Sequence, residues 1–225
     1  MICDFLRKLF RSKTLHELKT IYEALYSHYD DLHWWPAKTP YEVMVGAVLT
    51  QNTSWNNVKK ALSTLKGELS PEIIDRMPLE TLQERIRSAG FYRQKSMYLK
   101  ALTNWFLSYD CDISAIMSRP LQALRSELLA VRGIGNETAD SILLYAFNQP
   151  TFVVDAYTMR LFARYPISAG KNYNEVRKFI MENFPKDILL YNRFHALIVQ
   201  NAKDSCNKKP LCETCPLKNS CQKIL

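Results

Sequence analysis

The sequence predicts an all-α fold. Three observations carry that expectation. Apolar residues recur at helical spacing along nearly the whole chain, and prolines with small polar residues stand where helices should begin. The one β-branched run, Thr151-Phe152-Val153-Val154, has no second strand to pair with and reads as an extended connector. With 225 residues, 47% of them hydrophobic, the chain can bury a core in one domain or two small intimate lobes.

The first well-marked helix is Tyr41 to Thr50. Thr39-Pro40-Tyr41-Glu42 reads as a capping box with proline at the first helical position. Its body, Val43 to Leu49, is apolar all round, which predicts a buried central helix. Trp55 to Leu65 follows, with Val58, Leu62 and Leu65 on one face and Ser54 as the expected cap. Ser70-Pro71 opens a short helix. Pro78 opens another, with Leu79, Leu82 and Ile86 in phase and Gly90 as its stop. Helices are then expected over Lys95–Leu107, Pro120–Val131 and Asn136–Phe147. After Asp155 the pattern resumes and runs, with breaks at Gly170 and Pro185, to about Ala202.

Composition narrows the function classes. Thirty Lys and Arg against 22 Asp and Glu give a net charge of +8, which favours a polyanionic partner, nucleic acid ahead of an anionic membrane. The opening MICDFLRKLF is basic and amphipathic, but its apolar run is too short for a signal peptide. No run of about 18 apolar residues occurs, so no membrane span is expected. Cys3 and Cys111 stand alone, while four cysteines crowd the C-terminal end. A secreted disulfide scaffold would spread its cysteines, so this grouping points to metal binding in a reducing, cytoplasmic setting.

Two stretches carry candidate chemistry. In Leu129 to Ala139 one amphipathic helix ends, Gly133-Ile134-Gly135 turns, and a second helix begins at once. Glycines allow close backbone approach, and a helix start offers free N–H groups, so the hairpin suits phosphate binding without base readout. An ordinary glycine cap between packed helices explains the same residues. In the tail, Cys206-x5-Cys212-x2-Cys215-x5-Cys221 sets one CxxC between two five-residue loops. That spacing suits a [4Fe–4S] cube, with structural zinc as the alternative. Asp155, just before a predicted helix, reads from the residues alone as an N-cap.

From about Thr39 to Leu161, and again in the cysteine tail, the chain resembles the endonuclease III superfamily of helix-hairpin-helix, base-excision DNA glycosylases. The resemblance rests on Gln51-Asn52-Thr53 after a buried helix, Gly90-Phe91-Tyr92-x-x-Lys95, Gly133-Ile134-Gly135, Val153-Val154-Asp155 and the four cysteines, in that order. It implies that Asp155 is the essential carboxylate and Cys206, Cys212, Cys215 and Cys221 the cluster ligands. It implies that Gln51 fills the gap left by an extruded base and that Phe91 wedges the opposite strand. From the residues alone, Gln51 is equally a helix C-terminal glutamine and Phe91 a core aromatic. Strand-cutting members carry a nucleophilic lysine two residues after the second hairpin glycine. Here that position is Glu137, which cannot form an imine, so the resemblance implies an enzyme that leaves an abasic site. Glu137 also suits the first turn of a helix.

His33-Trp34-Trp35-Pro36, the run Gly46 to Trp55 and the run Ser88 to Lys95 resemble a narrower branch, the endonuclease-III-like 3-methyladenine DNA glycosylases. In that branch the flipped base lies between aromatics at the positions of Trp34 and Trp55. Adjacent Trp34 and Trp35 cannot both face a helical core. An N3-alkylated adenine is cationic and favours indole faces. The best-known members lack the cluster cysteines, and the superfamily usually spaces its first cysteine pair by six residues. The expected architecture is a barrel of about six helices near 37–151, with 1–36 and 152–225 forming a second, cluster-binding lobe. Damaged double-stranded DNA is expected in the cleft between them, bound by a monomer. The alternatives are a glycosylase for mismatched uracil or thymine or for oxidised pyrimidines, and a non-catalytic hairpin protein.

Overall fold

The computed structural model of the chain describes residues 2–32, 34–35 and 37–222, with side chains from Lys13 onward. His33 and Pro36 of the tryptophan motif lie outside the described residues, as does the side chain of Cys3. The described residues are helical with no strand, and none of their helices is long and apolar enough to cross a membrane. The chain divides into two compact units, Trp35–Gln149 and Met1–Trp34 with Pro150–Leu225.

The unit Trp35–Gln149 is built around α2 (Pro40–Leu49). Thr39 caps it by accepting from the Glu42 N–H, and the Glu42 carboxylate accepts the Lys38 N–H at 2.7 Å. Every residue from Val43 to Leu49 is buried. The helix is therefore held by packing on all sides rather than by one amphipathic face. Around it stand α3 (Trp55–Thr64), α4 (Pro71–Arg76), α5 (Leu79–Arg85), α6 (Tyr92–Leu107), α7 (Ile113–Met117), α8 (Leu121–Ala130) and α9 (Asn136–Ser141). Met44, Val48, Val58, Leu65, Ile74, Leu82, Leu124 and Leu128 meet in one continuous core. Each such side chain contributes roughly 1.5–3 kcal/mol by leaving water.

Three sequence expectations are corrected here. Ser54 stands at the N-cap of α3 with extended backbone but makes no side-chain capping bond. Helix α6 starts at Tyr92 rather than Lys95, because Phe91 takes the cap position. The helix expected over 136–147 is α-helical only to Ser141, and Ile142–Ala146 widens into a π turn. The short α7 was not foreseen. Its signal was Asp112, whose carboxylate accepts from the Ser114 and Ala115 N–H groups.

The other unit packs α1 (Ile2–Tyr29) against α11 (Tyr173–Asn183) and α12 (Ile188–Asp204), with α10 (Ala156–Arg164) also on α12. Leu18, Ile21 and Leu25 of α1 are fully buried, as are Val176, Ile180, Tyr191 and Phe194. Phe152, in the extended connector, lies edge-on to Tyr191 at 5.7 Å and against Phe194. Thr151 to Val154 is buried throughout, which explains the β-branched, apolar composition of a segment that forms no sheet.

Candidate active site

Asp155 is the N-cap of α10. Its Oδ1 accepts the Thr158 N–H at 2.7 Å, and Oδ2 lies 3.5 Å from His195 Nε2 on α12. Asp155 is only 9% exposed. Burial alone would raise its pKa, but the His195 imidazole and the Thr158 donors outweigh burial and hold it below the usual carboxylate range. The cap reading and a charged, buried acid therefore coexist at one residue.

The tryptophans have separate surroundings. Trp34 lies edge-on to His195, with ring centroids 6.1 Å apart, and Lys203 Nζ stands 5.3 Å over its ring. Among the described residues, its buried Nε1 has no hydrogen-bond partner. Trp35, in the other unit, stacks on Tyr145 at 4.9 Å and meets Trp55 at 5.6 Å. A Cβ on Gly46 would touch the Trp35 ring at 3.5 Å. The π turn supplies Tyr145, so the irregularity in the helix after the hairpin is also what braces Trp35. Trp35 takes φ 64, a conformation costly for a bulky residue.

The hairpin is anchored from two sides within its own unit. Gln51 Nε2 donates to the Gly133 carbonyl at 3.0 Å and to Thr138 Oγ1 at 2.9 Å, so this amide ties the end of α2 to the turn. Beneath the turn, Arg125 of α8 makes a buried pair with Asp140 of α9 at 2.9 Å and donates to Asn136 Oδ1. Gly133 requires glycine twice over: its φ is +82, and a Cβ would sit 2.1 Å from the Tyr98 ring. Gly135 differs. Its φ is −91 and a Cβ would meet open space, so nothing inside the protein demands glycine there. The Ile134 side chain is buried, and its N–H donates to the Val131 carbonyl at 3.1 Å. Glu137 is exposed in the first turn of α9.

Phe91 is 63% exposed with φ 47, which removes the core-aromatic reading. Beside it, Lys95 is buried, and its ammonium donates to the carbonyls of Leu49 and Ala89 at 2.8 and 2.7 Å. Desolvation lowers its pKa to about 8. Lys95 thus joins the end of α2, which leads to Gln51, to the turn that carries Phe91.

In the tail, all four cysteines line one cavity of about 30 Å³, with Arg164 at its wall. None forms a disulfide. Among the described residues no three Cys, His, Asp or Glu side chains stand close enough to share one metal ion. Arg164 Nη1 donates to the Asn207 carbonyl at 2.7 Å and approaches Cys206 Sγ at 3.4 Å, while Arg160 donates to the Cys206 carbonyl.

Sequence reasoning passed over His195, Tyr145, the Arg125–Asp140 pair and the structural use of Lys95. Lys95 stands in phase with the buried Leu99, Leu102 and Phe106, and a lysine on an inward face is a readable signal. His195 similarly interrupts an apolar run, Phe194 to Val199.

A fold of this kind, with a Gly-x-Gly hairpin and a buried aspartate capping a helix, defines a class, and comparison with known proteins identifies it. The chain belongs to the HhH-GPD superfamily of base excision DNA repair proteins, whose family model matches residues 45–186. A Methanocaldococcus jannaschii protein assigned as a DNA repair glycosylase is 46% identical over 206 residues, 89% of this chain and 94% of its own. The H. pylori 3-methyladenine DNA glycosylase, solved with 1,N6-ethenoadenine, is 29% identical with TM-score 0.70, covering 84% of this chain and 97% of its own. A trapped endonuclease III–DNA covalent intermediate shares the fold, with 24% identity, TM-score 0.80 and coverage of 93% and 96%.

Proposed function

We propose that this member of the base-excision DNA glycosylase family releases an alkylated purine of the 3-methyladenine type from duplex DNA and leaves the strand intact. The observation that carries the reading is Asp155, a buried carboxylate held ionised at a helix start. A fixed negative charge of this kind stabilises a developing oxocarbenium sugar and orients a water towards it. An N3-alkylated adenine leaves as a neutral molecule, so the reaction needs little acid assistance.

Trp34, Trp35 and Trp55 are the aromatics we assign to the base. The likeness to a 3-methyladenine DNA glycosylase supports that choice of substrate. Gln51 and Phe91 are assigned to the gap and to the opposite strand. The turn Gly133-Ile134-Gly135 is assigned to phosphate through the backbone N–H groups of its two glycines, since that of Ile134 donates to Val131, and the open space beside Gly135 supports that use. Glu137 in place of the lysine supports hydrolysis without strand cleavage.

The donor set in the tail, four cysteines bordering one cavity with a CxxC between two five-residue loops, supports an iron–sulfur cube, with structural zinc as the alternative. Cys206, Cys212, Cys215 and Cys221 would hold it. Its contribution is to fix the shape of the loop carrying Lys208 and Lys209, which suits phosphate contact.

The deciding experiment presents purified protein with single-lesion duplexes containing 3-methyladenine, ethenoadenine, mismatched uracil or thymine, and an oxidised pyrimidine. Release confined to alkylated purines, on uncut strands, is the expected result. Preference for a pyrimidine would overturn the substrate assignment, and no release from any duplex would overturn catalysis.

A further inference from the structure

Asp155 has a neighbour whose chemistry bears directly on its own. A carboxylate that only caps a helix has one oxygen fixed and the other free to turn. In this protein Oδ1 is taken by the Thr158 N–H, and Oδ2 faces His195 Nε2 at 3.5 Å. His195 is 4% exposed. It is boxed by two aromatic rings that meet it edge-on, Trp34 at 6.1 Å and 86° and Phe152 at 6.4 Å and 89°. Those walls leave the ring little freedom to rotate, so its nitrogen stays aimed at the carboxylate. The groups acting on the Asp155 charge are therefore His195 from α12 and Thr158 within α10. Lys203, also on α12, is engaged over the Trp34 ring.

We propose that His195 is a positioning residue for Asp155. The imidazole donates Nε2–H to Oδ2, so that both carboxylate oxygens are held in one orientation, and its contact with Trp34 ties that orientation to the wall assigned to the base. A donor on Oδ2 orients the carboxylate whose charge must face the sugar. The contact is long for a charge-assisted hydrogen bond, and such contacts commonly tighten once substrate fills the site.

This inference rests on Asp155 being the reacting carboxylate, so its test includes a measurement that needs no turnover. His195→Phe keeps an aromatic ring against Trp34 and Phe152 but removes the donor. His195→Gln restores an N–H of similar reach. In DNA-free protein, carbon-13 NMR should show the Asp155 carboxyl titrating at higher pH in His195→Phe than in wild type, with His195→Gln between them. In single-turnover base release His195→Phe should lose about 10-fold or more in rate at unchanged DNA affinity, comparable to losing a general orienting contact. The acid limb of its pH–rate profile should move up in step with the NMR titration, and His195→Gln should recover much of the rate. A purely structural role would lower the melting temperature without moving either profile. An Asp155 titration unchanged in both variants overturns the proposal. If His195→Phe fails to fold, His195→Gln decides: the wild-type rate and titration must be largely kept, and a loss as deep as that of Asp155→Asn overturns it. Wild-type protein inactive on every duplex, with the NMR shift present, would remove the glycosylase reading and leave the Asp155–His195 pairing standing.

Discussion

Asp155 concentrates two roles in one side chain, and substitution separates them. Asparagine caps helices about as well as aspartate, so Asp155→Asn should leave α10 and DNA affinity nearly intact. It removes the charge that would face the sugar. Base release should fall at least about 10²-fold, measured under single turnover. A wild-type rate would reduce Asp155 to a cap. Glu137 offers the opposite experiment. A carboxylate cannot form an imine, so borohydride should trap no adduct between protein and abasic DNA, and strands should stay intact until alkali is added. Efficient trapping would show that a lysine elsewhere attacks the sugar. Glu137 is exposed, so its outcome does not depend on global stability.

At the scale of elements, the hairpin's two glycines should part company. Gly133→Ala meets both a left-handed backbone and the Tyr98 ring, and should cost roughly 2 kcal/mol or more in denaturant unfolding. Gly135→Ala should change stability by less than about 1 kcal/mol, since the backbone and the space allow a methyl group. If the turn binds phosphate, Gly135→Ala should nonetheless weaken DNA binding in a fluorescence-anisotropy titration; unchanged affinity would leave the turn as packing alone. The cysteine loop makes its own prediction. Protein prepared without oxygen should be brown, absorb near about 400 nm and hold about four irons per chain. Cys212→Ser or Cys215→Ser should be colourless and less stable. Stoichiometric zinc without iron would reverse the assignment. Because Arg160 and Arg164 reach this loop from α10, the loss of stability should extend to the helix that Asp155 caps.

For the whole molecule, the +8 charge sets how DNA is first held. Affinity for undamaged duplex should fall linearly with salt on logarithmic axes, with a slope of about −0.9 for each phosphate neutralised, and lesion duplexes should share that slope. A lesion-dependent slope would mean that damage recognition recruits further phosphate contacts. The all-helical fold was legible because the deciding signals are local: the Thr39–Glu42 capping box, the apolar body of α2 and the unpaired Thr151–Val154 run each need only their neighbours in sequence. The π turn at Ile142–Ala146 was not legible, since nothing local distinguishes it from a continued α-helix, and Phe91 at the start of α6 obeys a left-handed backbone that its residue type does not announce. The candidate site divides in the same way. The sequence by itself determined which residue types are available, an aspartate before a helix, a Gly-x-Gly turn, the tryptophans Trp34, Trp35 and Trp55 and four crowded cysteines, because chemistry follows from composition and spacing. Only the tertiary structure decided that Asp155 meets His195, that Lys95 is spent on two backbone carbonyls, and that Gln51 grips the hairpin. Asp155–His195, Lys95–Leu49 and Gln51–Gly133 join residues 40, 46 and 82 positions apart, and at such separations it is the packing of helices, not any local propensity, that brings side chains within reach.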